Sequence, residues 1–284
     1  MKKVIDATIK LDLSKHDPIP KIVHVSWKTK RILNNKSPVI LNGLANLKKI
    51  NPDYKLEISD DNDVQTYLKS KLKKWDYIKI KNKKIVEKID LWRLIKIYDE
   101  GGIYVDIDRY CNISFNDIIK KETKCILPTH GDIDFSQDLM ISCKGNPIFK
   151  KAIEHNLAAR FLINPRGVFH LGPPIYMRAV TECVFGSRTK RKPGSRVMND
   201  FRNSLQNSAH FQTYKEILPN NSLIFKYNEK TFQKGNGLSK EKFYDSQGIT
   251  PWSSGHDKNT IILLIILSIA ALSVFVIMSA ANNV

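Results

Sequence analysis

Asp90-Leu91-Trp92-Arg93, followed by Gly101-Gly102-Ile103-Tyr104-Val105-Asp106-Ile107-Asp108, is the stretch whose reading decides the fold. From about Lys84 to Glu100, Ile85, Ile89, Trp92 and Leu94 to Ile97 recur at helical spacing and form an apolar face. Gly101-Gly102 ends that helix, and Ile103 to Ile107 is an apolar run of strand length. A helix feeding directly into a buried strand is one unit of an alternating α/β domain.

The alternation continues on both sides. Ile22-Val-His-Val-Ser26 reads as a short buried strand after the turn signals Pro18 and Pro20. Asn51-Pro52-Asp53 is a turn, and Tyr54 to Ser59 alternates as a second strand. Asp60 to Asp63 supplies N-cap residues for a helix to about Ser70. Further strands are expected at Lys124 to Leu127 and Leu139 to Ser142. Further helices are expected from Asn146-Pro147 to about Phe161 and from Pro173-Pro174 to about Val184. Residues 186–221 are polar and basic with no firm pattern. With no internal repeat, the order predicts a three-layer α/β domain.

Composition narrows the partners. The 284 residues are 42% hydrophobic and 26% charged, which is ordinary for a globular protein and excludes a disordered chain. Lys+Arg 46 against Asp+Glu 28 gives a formal charge of +18. Such an excess suits nucleic acid, anionic lipid or phosphorylated substrates. The lysines fall in scattered short runs, and no nucleic-acid-reading module accompanies them, so no nucleic-acid partner is expected. Cys111, Cys125, Cys143 and Cys183 have neither zinc-site spacing nor the density of a disulfide framework. Four free thiols in a reducing compartment are expected.

The run from Thr260 to Ala280 contains no charge. As a helix it would span roughly 31 Å, matching a hydrocarbon core of ~30 Å. The N-terminal MKKVIDATIKLDLS lacks an apolar run long enough for a signal peptide. The expected order is an N-terminal segment (1–18), a catalytic-size domain (19–255), a linker (256–259), a transmembrane helix (260–280) and a short tail (281–284). The expected topology is a single-pass C-terminal anchor with the large domain in the cytosol, in line with the positive-inside tendency. A lumenal orientation stays open.

The chemistry centres on Asp106-Ile107-Asp108. On a strand, side chains two residues apart project from the same face, so the two carboxylates are expected side by side. They repel unless a cation lies between them, and a hard, oxygen-liganded ion such as Mn²⁺ or Mg²⁺ suits that place. A nucleoside diphosphate would complete its shell. Taken alone the pair is a weak signal, since two acids at that spacing are most often a solvated loop. Asp90 and Arg93, three apart on one helix side, read either as a local ion pair or as ligands. In the second reading the carboxylate takes a sugar hydroxyl and the guanidinium takes an acid or phosphate. Gly101-Gly102 also allows close backbone approach at the mouth of the next strand. His24, His130 and His170 read as core histidines. Asp132, Asp134 and Asp138 form an acidic patch around His130 that could face a sugar or acceptor.

The stretch Asp90 to Asp108 resembles the D-x-x-R…G-G-I-Y-x-D-x-D signature of glycosyltransferases with a DXD sugar-binding motif. These include the family 32 enzymes related to the yeast initiating α-mannosyltransferase and, more distantly, the large clostridial glucosylating toxins. Ile19-Pro-Lys-Ile-Val-His-Val-Ser-Trp27 is similar to the family's opening strand, and Asn51-Pro-Asp-Tyr54 with Asp60-Asp61 to its N-P-x-Y…D-D segment. Leu171-Gly172-Pro173 resembles its T-G-P turn and Thr250-Pro251-Trp252 its terminal S-x-W. Lys88-Ile89 stand where small residues usually precede the helix aspartate, and Leu171 and Thr250 also depart from the pattern.

The resemblance implies a GT-A-type, Rossmann-like domain with a divalent metal, Mn²⁺ or Mg²⁺. It also implies a nucleotide-diphosphate sugar donor and a hexose transferred with retention to a glycan, lipid or protein acceptor. Carried over by position, Trp27 stacks on the base, or is simply core. Asp90 and Arg93 hold the sugar, and Gly102 and Tyr104 belong to the donor site. Asp106 and Asp108 frame the metal, with Asp108 ahead as direct ligand. Thr250 and Trp252 belong to a loop ordering over the diphosphate, unless Trp252 is an interfacial anchor for the span. The leaving phosphate can take the acceptor proton, so no separate base is assigned. The competing reading is an inactive membrane-anchored binding protein that keeps the GT-A fold.

Overall fold

The computed structural model describes residues 10–34, 37–130, 134–159, 172–186, 208, 210–213, 225–227, 246–247, 265–269 and 272–273. The first half contains β1 (Ile22–Ser26), α1 (Pro38–Ile50), β2 (Lys55–Ser59), α2 (Asp61–Lys71), α3 (Lys74–Lys81), α4 (Ile85–Glu100) and β3 (Gly102–Val105). Next come β4 (Arg109–Cys111), α5 (Phe115–Ile118), β5 (Cys125–Leu127), β6 (Thr129–His130), β7 (Asp134–Phe135) and β8 (Leu139–Ser142). The remaining elements are α6 (Pro147–Ala159), α7 (Pro173–Phe185), β9 (Phe211–Thr213) and β10 (Phe225–Tyr227).

The main sheet is mixed, in the order β2-β1-β3-β8-β5-β9. β1 runs parallel to β2 and β3, whereas β8 is antiparallel to β3 and β5. In β1, Val23 and Val25 are buried, and so is His24 on the opposite face. All four residues of β3 are buried. Burial on both parities means that both sheet faces are covered, which is why these strands read as continuous apolar runs. The fold is α/β, as the element order implied.

Local chemistry explains the helix boundaries near the sheet edge. Asp60 caps α2 in a reciprocal box: its Oδ1 accepts from the Asp63 N–H at 2.9 Å, and Asp63 Oδ2 accepts from the Asp60 N–H at 3.1 Å. α4 stops at Gly101, where φ is +70°. Gly102 follows at φ +93°, and a Cβ there would lie 2.6 Å from the Ile22 carbonyl oxygen. The glycine pair therefore serves the close pairing of β3 with β1. It does not open the strand mouth to a ligand, because Gly102 starts β3 whereas Asp106 follows its other end. Gly102→Ala combines this clash with backbone strain of roughly 1–3 kcal/mol. Thermal denaturation should show a fall of about 2–4 °C for each kcal/mol lost.

Three expectations need correction or completion. β3 ends at Val105, not Ile107, and Asp106 to Asp108 form a turn closed by the Arg109 N–H donating to the Asp106 carbonyl at 3.1 Å. The two carboxylates are thus not side by side on a strand face. α1 and α3 fill stretches for which no helix was expected, and β9 lies within the stretch read as patternless. Among the described residues, no helix is long and apolar enough to cross a membrane. Most of the expected span 260–280 lies outside the described residues; Ile265–Ile269 and Leu272–Ser273 are helical and exposed. All four cysteines are free thiols.

Candidate active site

Three parallel strands end at one edge of the sheet. β1 continues into Trp27, β2 into Asp60 and β3 into Asp106, and the Trp27 N–H donates to the Ser59 carbonyl at 3.0 Å. Ligands of open α/β sheets settle outside such carboxyl ends. α4 adds Asp90 and Arg93 to this edge.

Arg93 is the hub. Its Nη2 donates to Asp90 Oδ1 at 2.9 Å, while Nη1 lies 3.3 Å from Asp106 Oδ1 and donates to the Gln137 carbonyl at 3.0 Å. The guanidinium sits 4.7 Å from the Tyr104 ring centre, a cation–π contact. The Tyr104 hydroxyl donates to the same Asp106 oxygen at 2.6 Å, and the Asp106 N–H donates to the Asp138 carbonyl at 2.8 Å. These bonds converge on Asp106 Oδ1 and leave Oδ2 outside the network. Asp138 in turn pairs with Arg109 and accepts from the Ser136 hydroxyl.

Charge explains why the cluster is assembled. Burial alone would lower the pKa of Arg93, but Tyr104, Asp106, Asp90 and Asp108 outweigh it and raise it. Burial first, then Asp106, holds Tyr104 well above its ordinary value, so it acts as a neutral phenol donor. Three carboxylates, Asp90, Asp106 and Asp108, surround one guanidinium. Arg109 pairs with Asp138 beside them, so the carboxylates outnumber the guanidinium that they share. The donor atoms there are carboxylate oxygens, which suits Mn²⁺ or Mg²⁺. Asp106 has a side chain 30% exposed, whereas Asp108 is 2% exposed. The pair therefore offers one accessible and one recessed carboxylate.

The structure brings Asp90, Arg93, Tyr104, Asp106 and Asp108 together. Trp27 is 4% exposed and packs in the core, with its indole N–H buried and unpartnered. Gly102 lies at the far end of β3 and acts on the site only through the register of that strand. Thr250 and Trp252 lie outside the described residues, as do Asp132, His170 and the side chains of His130 and Asp134. Residues that sequence reasoning passed over are Arg109 and the Gln137 and Asp138 carbonyls. The Asp138 side chain was read as part of the acidic patch around His130, but its partner Arg109 is remote in the chain.

Among the described residues, the one set of three His, Cys, Asp or Glu side chains whose ligand atoms all lie within 4.8 Å of one another is His24, Glu57 and Glu100, not the aspartates. The Lys96 ammonium already sits there, 2.5 Å from Glu100 Oε1 and 3.7 Å from Glu57 Oε2. His24 instead has a structural task, its Nε2–H donating to the Gly101 carbonyl at 3.0 Å. Burial pushes the pKa of His24 below 6.5. Just below 6.5 the unfolded chain therefore binds a proton that the native ring refuses. Stability falls as pH drops from 6.5 towards the lower native value, then levels off. Denaturant midpoints measured across this range should show that loss in the wild type, with a shallower dependence in His24→Asn.

Comparison with known proteins bears out the sequence resemblance. Residues 39–124 match the family described as the glycosyltransferase sugar-binding region containing the DXD motif. The chain is 23% identical over 167 residues to inositol phosphoceramide mannosyltransferase 1 of Schizosaccharomyces pombe, covering 57% of this chain and 50% of that protein. It is 27% identical over 157 residues to mannosyl phosphorylinositol ceramide synthase SUR1 of Saccharomyces cerevisiae, covering 53% of this chain and 39% of that protein. The chain thus spans half or less of the length of these relatives. Among solved structures it is similar to the PaToxG glycosyltransferase, with a TM-score of 0.45 and 20% identity over 79% of this chain and 88% of the other.

Proposed function

We propose that the chain is a divalent-metal-dependent glycosyltransferase with a GT-A-type domain over residues 19–255. In this reading it transfers a hexose, with retention, from a nucleotide-diphosphate sugar. The observation that carries the reading is the clustering of Asp90, Asp106 and Asp108 about Arg93, at the carboxyl end of parallel strands. The DXD family match over residues 39–124 supports it.

Bound Mn²⁺ or Mg²⁺ would neutralise charge on the diphosphate as the glycosidic bond to phosphate breaks. Asp108 and the free oxygen of Asp106 would hold it. Tyr104 and Arg93 fix Asp106 in place, so the carboxylate needs no reorganisation when charge develops. Asp90, oriented by Arg93, would accept a sugar or ribose hydroxyl. Trp27, buried at the end of β1, would brace that edge from within the core. The Lys28 ammonium donates to the Gln247 carbonyl. That contact brings the chain just before Thr250 to the same edge and supports a donor role for Thr250 and Trp252.

The names of the two fungal relatives point to mannose as the first sugar to test and to an inositol-phosphate sphingolipid as the first acceptor. A lipid acceptor agrees with a membrane span over 260–280, and we place the large domain on the cytosolic side. Protease protection in intact membranes tests that orientation: digestion of the domain supports it, and protection reverses it. For the reaction, the purified chain is offered GDP- and UDP-hexoses with Mn²⁺. Hexose release that stops on chelation is expected with GDP-mannose. Failure to turn over any donor, with the fold intact, would leave the inactive binding protein as the reading.

A further inference from the structure

The helix α3 stands apart from the candidate site and carries the most exposed large apolar side chain among the described residues, Trp75, at 75%. Its inward side is accounted for: Ile80 is buried, and Tyr77 and the preceding Leu72 pack against the core. Trp75 and Ile78, three residues apart, share the opposite side of the helix. On the same helix, its N-cap and the end of α2, Lys69, Lys73, Lys74 and Lys81 are all exposed. Two neighbouring lysines are neutralised locally, Lys71 by Asp99 at 2.8 Å and Lys79 by Asp76 at 3.0 Å. Among the described residues, Lys69, Lys73, Lys74 and Lys81 have no ion-pair partner. Part of the chain's positive excess thus lies on a surface that also presents an indole.

We propose that α3 with the end of α2 is a docking surface for an anionic lipid bilayer, with Trp75 seated at the headgroup level and the four free lysines over the lipid phosphates. An indole has an apolar body and a polar edge and prefers that depth. The charge complementarity is direct, and each lysine near an anionic bilayer adds roughly five-fold to binding. Four together give on the order of several hundred-fold. Alone that is a weak attachment. Beside a membrane anchor, docking becomes intramolecular, so a weak patch is enough to hold the domain in one orientation. The proposal does not depend on whether the chain transfers sugar.

The test uses the full chain added to phosphatidylcholine vesicles, with or without phosphatidylserine, whose acyl chains are brominated to quench tryptophan. Subtracting the emission of Trp75→Phe isolates Trp75 from Trp27, Trp92 and Trp252. The expected result is quenching of the Trp75 component in phosphatidylserine vesicles. That quenching should fade at high salt and disappear when Lys69, Lys73, Lys74 and Lys81 are all changed to Gln. These side chains are exposed, and an unchanged circular dichroism spectrum confirms that the variant folds. A Trp75 component equally bright in brominated and ordinary phosphatidylserine vesicles overturns the proposal. So does quenching that is indifferent to the four lysines.

Discussion

Arg93→Met is expected to lower stability by about 3–5 kcal/mol, the cost of removing one partner from a buried ionic cluster. Arg93 bridges Asp90, Asp106 and the Gln137 carbonyl, and three buried or half-buried groups each lose a donor together. Urea denaturation would show this as a lower midpoint with little change in slope. Arg93→Lys should recover little, because a single ammonium cannot serve Asp90 and Asp106 through separate nitrogens. A loss below about 1 kcal/mol in Arg93→Met would mean that the guanidinium does not hold the cluster. Adding Mn²⁺ should partly restore the midpoint of Arg93→Met if the cluster is a cation site, since the ion would replace the missing positive charge.

Asp108→Asn is the second large effect, and it falls on turnover more than on folding. The change keeps the side-chain shape but removes one negative charge from a site argued to hold a divalent ion. Loss of one preorganised electrostatic partner typically costs on the order of 10²–10³ in rate. Hexose release from the active donor should fall by at least that factor, while the denaturation midpoint should move less than in Arg93→Met. Asp106→Asn should lose activity too. Its midpoint should also move, because Asp106 accepts from both Tyr104 and Arg93.

Much of this arrangement was legible before the structure, and the reasons differ by element. β1 and α4 were readable because their apolar residues recur at strand and helix spacing and both elements are deeply buried. The Asp90–Arg93 pair followed from helical geometry. α1 was hidden partly by Gly43, a weak helix former. Its place is explained only in three dimensions, because a Cβ there would lie 3.3 Å from the Arg109 carbonyl oxygen. α3 was hidden by its lysines, which mask the packing of Ile80 and Tyr77. Ile107 extended the apparent strand because it is apolar and buried. Yet the chain turns at Asp106, so alternation gave the wrong relation between the two carboxylates. The Arg109–Asp138 pair and the Gln137 carbonyl are long-range contacts, and spacing along the chain contains no information about them.

The central claim is that the Asp106–Asp108 turn, braced by Arg93 and Tyr104, is a metal site completed by a nucleoside diphosphate. Electron paramagnetic resonance of free Mn²⁺ tests this without requiring turnover. The purified chain is titrated with Mn²⁺ in the presence and absence of GDP or UDP, beside Asp108→Asn. The account predicts that nucleotide increases Mn²⁺ uptake by the wild type and that Asp108→Asn loses the increase. Equal uptake by the two proteins, or none in the presence of either nucleotide, would contradict it.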